Sequence, residues 1–255
     1  HALTDLLLRA QCRLIAVLHY SARLYVPSSR KLIVEARAAA EQSGDRFLRS
    51  TIEANIAVFQ LDVGDLDQAE ESLARAGQLL LGADLQHVRT NHQVNRGELA
   101  LLRGEYAVAE SLYRGVRETL NSDSAPHVAN TVYAGLGLCA VEQGRLSEAR
   151  RIEELLERPS HWYFEPSLIL RFRATLFARR GMHQEAIDVL REPQPQLFPR
   201  MVNAWLKIRT IELELAVRIG ENIPEERIEE ARLIAHRLRL HTRATWLDRL
   251  RERIN

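Results

Sequence analysis

The chain has 255 residues, of which 46% are hydrophobic and 27% charged, and its formal net charge is +1. This composition is globular, and the length exceeds what one compact core commonly organises. The near-neutral balance removes any bulk electrostatic drive toward nucleic acid or a membrane surface.

In chain order, the apolar periodicity predicts helix pairs at roughly 3–42, 46–82, 84–120, 126–157, 162–192 and 197–238, with a last helix near 241–253. The pairs are marked by a recurring phrase: "GDLDQAEESL" from Gly64, "GEYAVAESLY" from Gly104, "GRLSEARRIE" from Gly144 and "GMHQEAIDVL" from Gly181, with a weaker "GENIPEERIE" from Gly220. The glycines are 40, 40, 37 and 39 residues apart, a period that marks stacked repeats. Glycine takes the left-handed conformation that ends one helix and admits the next within a few residues. Five residues on stand Ala69, Ala109, Ala149 and Ala186, small enough for the two helices to approach closely, with Leu73, Tyr113 and Leu190 filling the space between them. Seven residues before each glycine stand Ala57, Gly97, Gly137, Ala174 and Leu213, which also permit close crossing. No alternating β-branched runs bounded by turns appear. The Pro-rich stretches 158–166 and 191–199 read as loops between repeats, because the period carries across them. Residues 1–255 are therefore expected to form a single all-α domain, a solenoid in which each pair buries its apolar face on its neighbours.

At "YAGLGLCAVEQGRLSEA" (133–149), Tyr133, Leu136, Gly137, Gly144 and Ala149 occupy the spacing of the tetratricopeptide repeat, and the chain resembles proteins of that family over nearly its whole length. The resemblance implies a right-handed superhelix of about six repeats. The sequence departs from the family pattern in its longer period, in lacking the closing proline, and in having Arg96 and Arg173 where an apolar residue is usual. The long period and arginine-rich style are similar to the superhelical sensor domain of LuxR-type, MalT-like bacterial transcription activators. That likeness implies an effector-binding role, with nucleotide-binding and DNA-binding modules elsewhere in the protein.

In tetratricopeptide folds the first helix of each pair lines the concave surface. Nine residues before the glycines stand Asn55 and Asn95, and thirteen before stand Thr51, Asn91 and Thr131. Thr51 and Asn55, like Asn91 and Asn95, are one helical turn apart and share a face. Glu98 adjoins this row, and Arg171 adds a cation from a later repeat. Asparagine supplies both donor and acceptor, which suits a peptide backbone or a carboxylate. Members of the family that clamp peptide termini also use lysines, and these have no counterpart here. The alternative for Asn55 and Asn95 is that they are merely solvated or bridge neighbouring helices.

Signals for chemistry are absent. Neither lysine, Lys31 or Lys207, sits in a phosphate-binding G-x-x-x-x-G-K-[ST] loop. His87/His92 and His236/His241 have the wrong spacing for a zinc-hydrolase helix and read as solvated surface residues. No G-x-S-x-G elbow is present. The expectation is a non-enzymatic domain without cofactor or metal. Trp162, Tyr163 and Phe164 could stack on a ligand but read better as a plug between helix pairs. Arg232, Arg237, Arg239 and Arg243 read as a basic outer face on a terminal amphipathic helix rather than a nucleic-acid site.

Cys12 and Cys139 fit neither a disulfide framework nor a metal site and read as small core residues in a reducing compartment. No run approaches the roughly 18 apolar residues of a membrane span, and no secretion signal is visible, so the chain is expected in the cytoplasm. It begins at His1 and enters an apolar pattern at once, as expected of a piece cut from a larger protein. The expected partner is a small-molecule effector or, alternatively, a protein or peptide tail bound by a constitutive scaffold. Nucleic acid and membrane are not expected partners. Homo-oligomerisation is left open, because neither end shows an obvious polar capping repeat.

Overall fold

The computed structural model describes residues 26–82, 86–120, 126–156, 166–197 and 202–254, and among them every regular element is a helix. The first half contains α1 (Val26–Ser43), α2 (Arg46–Val63), α3 (Leu66–Leu79), α4 (Gln86–Leu102), α5 (Tyr106–Arg117) and α6 (Pro126–Glu142). The second contains α7 (Leu146–Glu154), α8 (Pro166–Arg179), α9 (His183–Arg191), the short α10 (Gln194–Leu197), α11 (Val202–Ile219), α12 (Glu225–Arg237) and α13 (His241–Ile254). Of the first predicted pair, residues 1–25 lie outside the described residues, as do Cys12 and the aromatic stretch 161–164.

The repeated phrase works as a turn that closes on itself. At Gly64 the backbone is left-handed, with φ of 84°, and the Asp65 amide reaches back to the Gln60 carbonyl at 2.8 Å. The same bond recurs from Glu105 to Ala100, from Arg145 to Ala140, from Met182 to Phe177 and from Glu221 to Ala216. It satisfies carbonyls that a helix end leaves without partners. The next helix starts at once where the phrase is strong: the Ala69 amide donates to Asp65 O at 3.0 Å, and Ala109, Ala149 and Ala186 bond in the same way. All four alanines are fully buried. After Gly220 the weak copy behaves differently, because helix α12 begins only at Glu225.

A further copy of the turn carries no glycine. Arg239 takes φ of 56°, the Leu240 amide donates to Ala235 O at 3.0 Å, and the Ala244 amide then donates to Leu240 O at 2.8 Å. Ala244 stands five residues after Arg239 and is buried like its counterparts. The search for Gly-then-Ala passes over this turn because an arginine occupies the left-handed position.

Between the pairs, small residues admit large ones. Tyr113 of α5 is fully buried between Gly97 of α4 and Gly135 of α6, where an added Cβ would come within 2.7 and 2.4 Å of its ring. Gly137 of α6 admits Phe172 of α8 at a similar distance. The helices α2, α4, α6, α8 and α11 each touch the next in that order, and α6 is buried from Thr131 to Val141 except at half-buried Tyr133. One apolar cluster joins α1 and α2 to α8, α9 and α11 to α13, so the end of the chain packs back on its beginning.

Two expectations need correction. The stretch 191–199 is not all loop: Gln194–Leu197 is helical, and the buried Gln194 amide donates to Leu190 O and to Glu212 at 2.9 Å. Glu212 is 1% exposed and also receives Arg191 at 2.8 Å and Arg227 at 2.7 Å. A buried carboxylate must be paired, and this requirement draws the segment into the core. Arg243, expected on an outer face, instead turns inward and donates to Asn203 Oδ1 at 3.1 Å. Arg96 is exposed, and Arg173 faces Glu153 at 3.7 Å, so neither arginine replaces a core residue without compensation.

Left-handed backbone strains a side chain by about 1 kcal/mol relative to glycine. Arg239→Gly is therefore expected to raise stability by up to about 1 kcal/mol, read as a higher midpoint in urea with an unchanged slope.

Candidate binding recesses of the inner face

On α2 the residues that do not enter the apolar core include Thr51, Asn55, Val58 and Asp62, spaced to form one stripe. On α4 the corresponding stripe is Asn91, Asn95, Glu98 and Leu102, and α6 contributes Val128 and Thr131. Because α2, α4 and α6 stack in that order, the stripes line a recess of about 1050 Å³, counted to its open mouth. Thr51, Asn55, Asn91, Asn95, Glu98 and Thr131 all border it. The predicted row is thus brought together, except that Arg171 borders a neighbouring chamber in which Glu98 also takes part.

The polar groups in this recess are unevenly committed. Asn55 donates its amide to Thr51 O at 2.8 Å, and Thr131 donates to His127 O at the same distance, both within their own helices. The Thr51 hydroxyl is buried without a hydrogen-bond partner. Asn91 and Asn95 have no hydrogen-bond partner among the described residues, and neither bridges to a neighbouring helix there. The sequence reasoning missed the apolar part of the lining, Phe47, Val58, Val88, Val94 and Val128. These residues stand three or four positions from the polar row or beside it, and that spacing was the available signal.

The inner face is closed by the far end of the chain. Lys207 of α11 reaches Asp62 of α2 at 3.2 Å and Glu98 of α4 at 3.3 Å, across sequence separations of 145 and 109 residues. Thr242 of α13 donates to Gly64 O at 3.4 Å beside this bridge. Beyond the bridge lies a second chamber of about 640 Å³, counted to its mouth, with Leu61, Leu101, Leu102, Leu168 and Ile211 as apolar walls and Arg171, Arg243 and Glu214 among its charged groups. Burial pushes the Arg243 guanidinium below its ordinary pKa, with Asp62 acting in the opposite direction.

The histidines also need correction. His92 is not a solvated surface residue: it is half-buried, with Nε2 at 2.8 Å from the Leu73 carbonyl, and its ring lies close over Gly77, where a Cβ would come within 3.1 Å of it. His236 is exposed and faces Asp248 at 3.1 Å, while His241 is exposed. The His87 side chain lies outside the described residues. Among the described residues, no group of three His, Cys, Asp or Glu is placed to hold a metal ion. Cys139 is fully buried, as a core residue should be, and burial pushes its thiol up to about 12. Among the described residues no helix is long and apolar enough to cross a membrane. Compared with protein-family models, curated proteins and solved structures, the chain matches none.

Removing Lys207 would leave two half-buried carboxylates facing each other's field. Lys207→Met is expected to cost about 2 kcal/mol in urea unfolding, and Glu98→Gln less, because Asp62 then remains paired. His92 loses its charged form to burial, which depresses its folded pKa below the unfolded value of about 6.5. Its contribution to stability is therefore present above that value and is lost as pH falls through the folded pKa. Wild type should lose stability below about pH 6.5 more steeply than His92→Gln, measured as unfolding midpoints from pH 7.5 to 5.

Proposed function

We propose that this chain is a non-catalytic, effector-binding domain built as a tetratricopeptide-like superhelical solenoid of about six helix pairs. In this reading it is the sensor part of a bacterial signalling or transcription-control protein. The observation that carries the proposal is the Lys207 bridge to Asp62 and Glu98, which divides the inner face into bounded recesses. A small effector needs enclosure on several sides, whereas an extended tail needs an uninterrupted groove. Occupation of a recess would act by binding one arrangement of the helices more tightly than another, and so shift the state of modules joined to this domain. The glycine-capped turns, the buried alanines and the successive contacts of α2, α4, α6, α8 and α11 support the solenoid assignment.

A second reading is a scaffold that grips a peptide. It draws on the recess bordered by Asn91 and Asn95, whose amides have no partner among the described residues and could pair with a peptide backbone.

Thermal-shift screening of the domain against a metabolite set and a peptide library tests both readings. A metabolite at a hundred times its dissociation constant stabilises by about 2.7 kcal/mol, and for a chain of this size that raises Tm by roughly 5–10 °C. The expected result is such a shift with a metabolite, abolished by Asn55→Ala or Asn95→Ala. A shift with peptides alone would replace the sensor by the scaffold, and no shift in either set would overturn both.

A further inference from the structure

The second chamber has a composition that points to one class of ligand. Its walls come from α2, α4, α8, α11 and α13, and the apolar ones are aliphatic: Leu61, Leu101, Leu102, Leu168 and Ile211. The space is about 640 Å³ counted to its open mouth, of which about 130 Å³ is room for a bound molecule, close to the roughly 150 Å³ of a cavity that takes a benzene-sized body. The charged residues at its border divide by partner. Lys207 is held by Asp62 and Glu98 at 3.2 and 3.3 Å, and Asp62 also acts on Arg243, so these two cations and two carboxylates balance. At the other side Glu142 takes Arg218 at 2.9 Å and Arg179 at 3.3 Å, while exposed Glu214 lies within electrostatic reach of Arg218. Arg171 remains. It is half-buried, and among the described residues its guanidinium has no hydrogen bond and no ion pair.

Glu98 and Glu214 border the same chamber, and Arg171 shares the surroundings of Tyr106 with Glu142, Arg218 and Glu214, but none of these carboxylates pairs with it directly; a half-buried guanidinium so placed beside aliphatic walls can accept an anion that carries its own apolar body. The fork of N–H donors on Arg171 matches the two oxygens of a carboxylate, and the Ser167 hydroxyl borders the same space. Lys207 does not compete for the ligand, because its two carboxylates already occupy it.

We propose that this chamber binds a small aliphatic anion, with its carboxylate on Arg171 and its hydrocarbon body along Leu168, Leu102 and Ile211. The assignment rests on the sensor reading above and adds to it a ligand site of stated chemistry beside the asparagine-bordered recess. The site is separate from the asparagine-bordered recess and shares only Glu98 with it, so occupation of the chamber bears directly on the wall that the two have in common.

Isothermal titration of the whole chain with sodium octanoate, kept below its micelle concentration, tests the assignment against octan-1-ol as the uncharged counterpart. The expected result is saturable binding of one octanoate per chain, at least tenfold tighter than octanol. Arg171→Gln should weaken octanoate at least tenfold and leave octanol unchanged, whereas Asn95→Ala should change neither. Equal binding of octanoate and octanol by the wild type would overturn the proposal without reliance on any variant. Absence of octanoate binding would also overturn it, and a metabolite shift sensitive to Asn55→Ala or Asn95→Ala would then leave the sensor reading standing. Absence of both would remove the two together.

Discussion

The left-handed turn between paired helices is the constraint on which the rest of this structure depends. A helix end leaves carbonyls without partners, and a residue with positive φ lets the following amide return to one of them while the chain reverses. Because the next helix begins within two residues, its first buried side chain is fixed in position, and a side chain as small as alanine lets the helices approach closely. Ala69, Ala109, Ala149 and Ala186 are buried to the same extent for this reason. Each reversal thus sets the distance between two helices, and the repetition of the turn sets the spacing of helices α2, α4, α6 and α8.

Close approach at the turn transfers the filling of space to a few large side chains. Tyr113 and Phe172 occupy the gaps between successive pairs, and they fit because Gly97, Gly135 and Gly137 present no Cβ to the rings. Dense packing of this kind resists continuous deformation, so the faces it leaves free are held in register. That rigidity holds the polar row in place: α4 and α6 cannot slide past one another without forcing Tyr113 into backbone, and Ala57, Leu61, Leu73 and Leu99 pack α2 against α4. Electrostatics then works on a scaffold already set by packing. Buried Glu212 gathers Arg191, Arg227 and Gln194 around one end of the chain, and Lys207 ties that end to α2 and α4.

The two recesses arise where these two levels meet. The asparagine recess is a product of the repeat, since equivalent positions on successive helices fall side by side. The aliphatic chamber is a product of closure, since it exists only where α11 and α13 come back against α2 and α4. Glu98 belongs to both, and its ion pair with Lys207 gives the two spaces a common wall.

How much was legible in the sequence follows the range of the interactions. The helix pairs, the turn positions, the buried alanines and the row from Thr51 to Thr131 were readable, because a helical period and a repeat of about 40 residues place them by local geometry alone. The turn at Arg239 escaped because its left-handed conformation is imposed by packing at Ala244 and not by residue type. His92 was misread because its burial comes from lying over Gly77 of a neighbouring helix, and Arg243 because a stripe of arginines does not reveal which member turns inward. Arg171 was chosen for its charge, but its place in a different recess from the asparagines depends on how α8 packs against the helices before it. The sequence by itself therefore determined the all-helical character, the repeating turn and the proximity of Thr51, Asn55, Asn91, Asn95 and Thr131 to one another. Only the tertiary structure decided that the chain closes on itself through Lys207, because that contact spans 145 residues and depends on how every intervening helix packs, which no local pattern encodes.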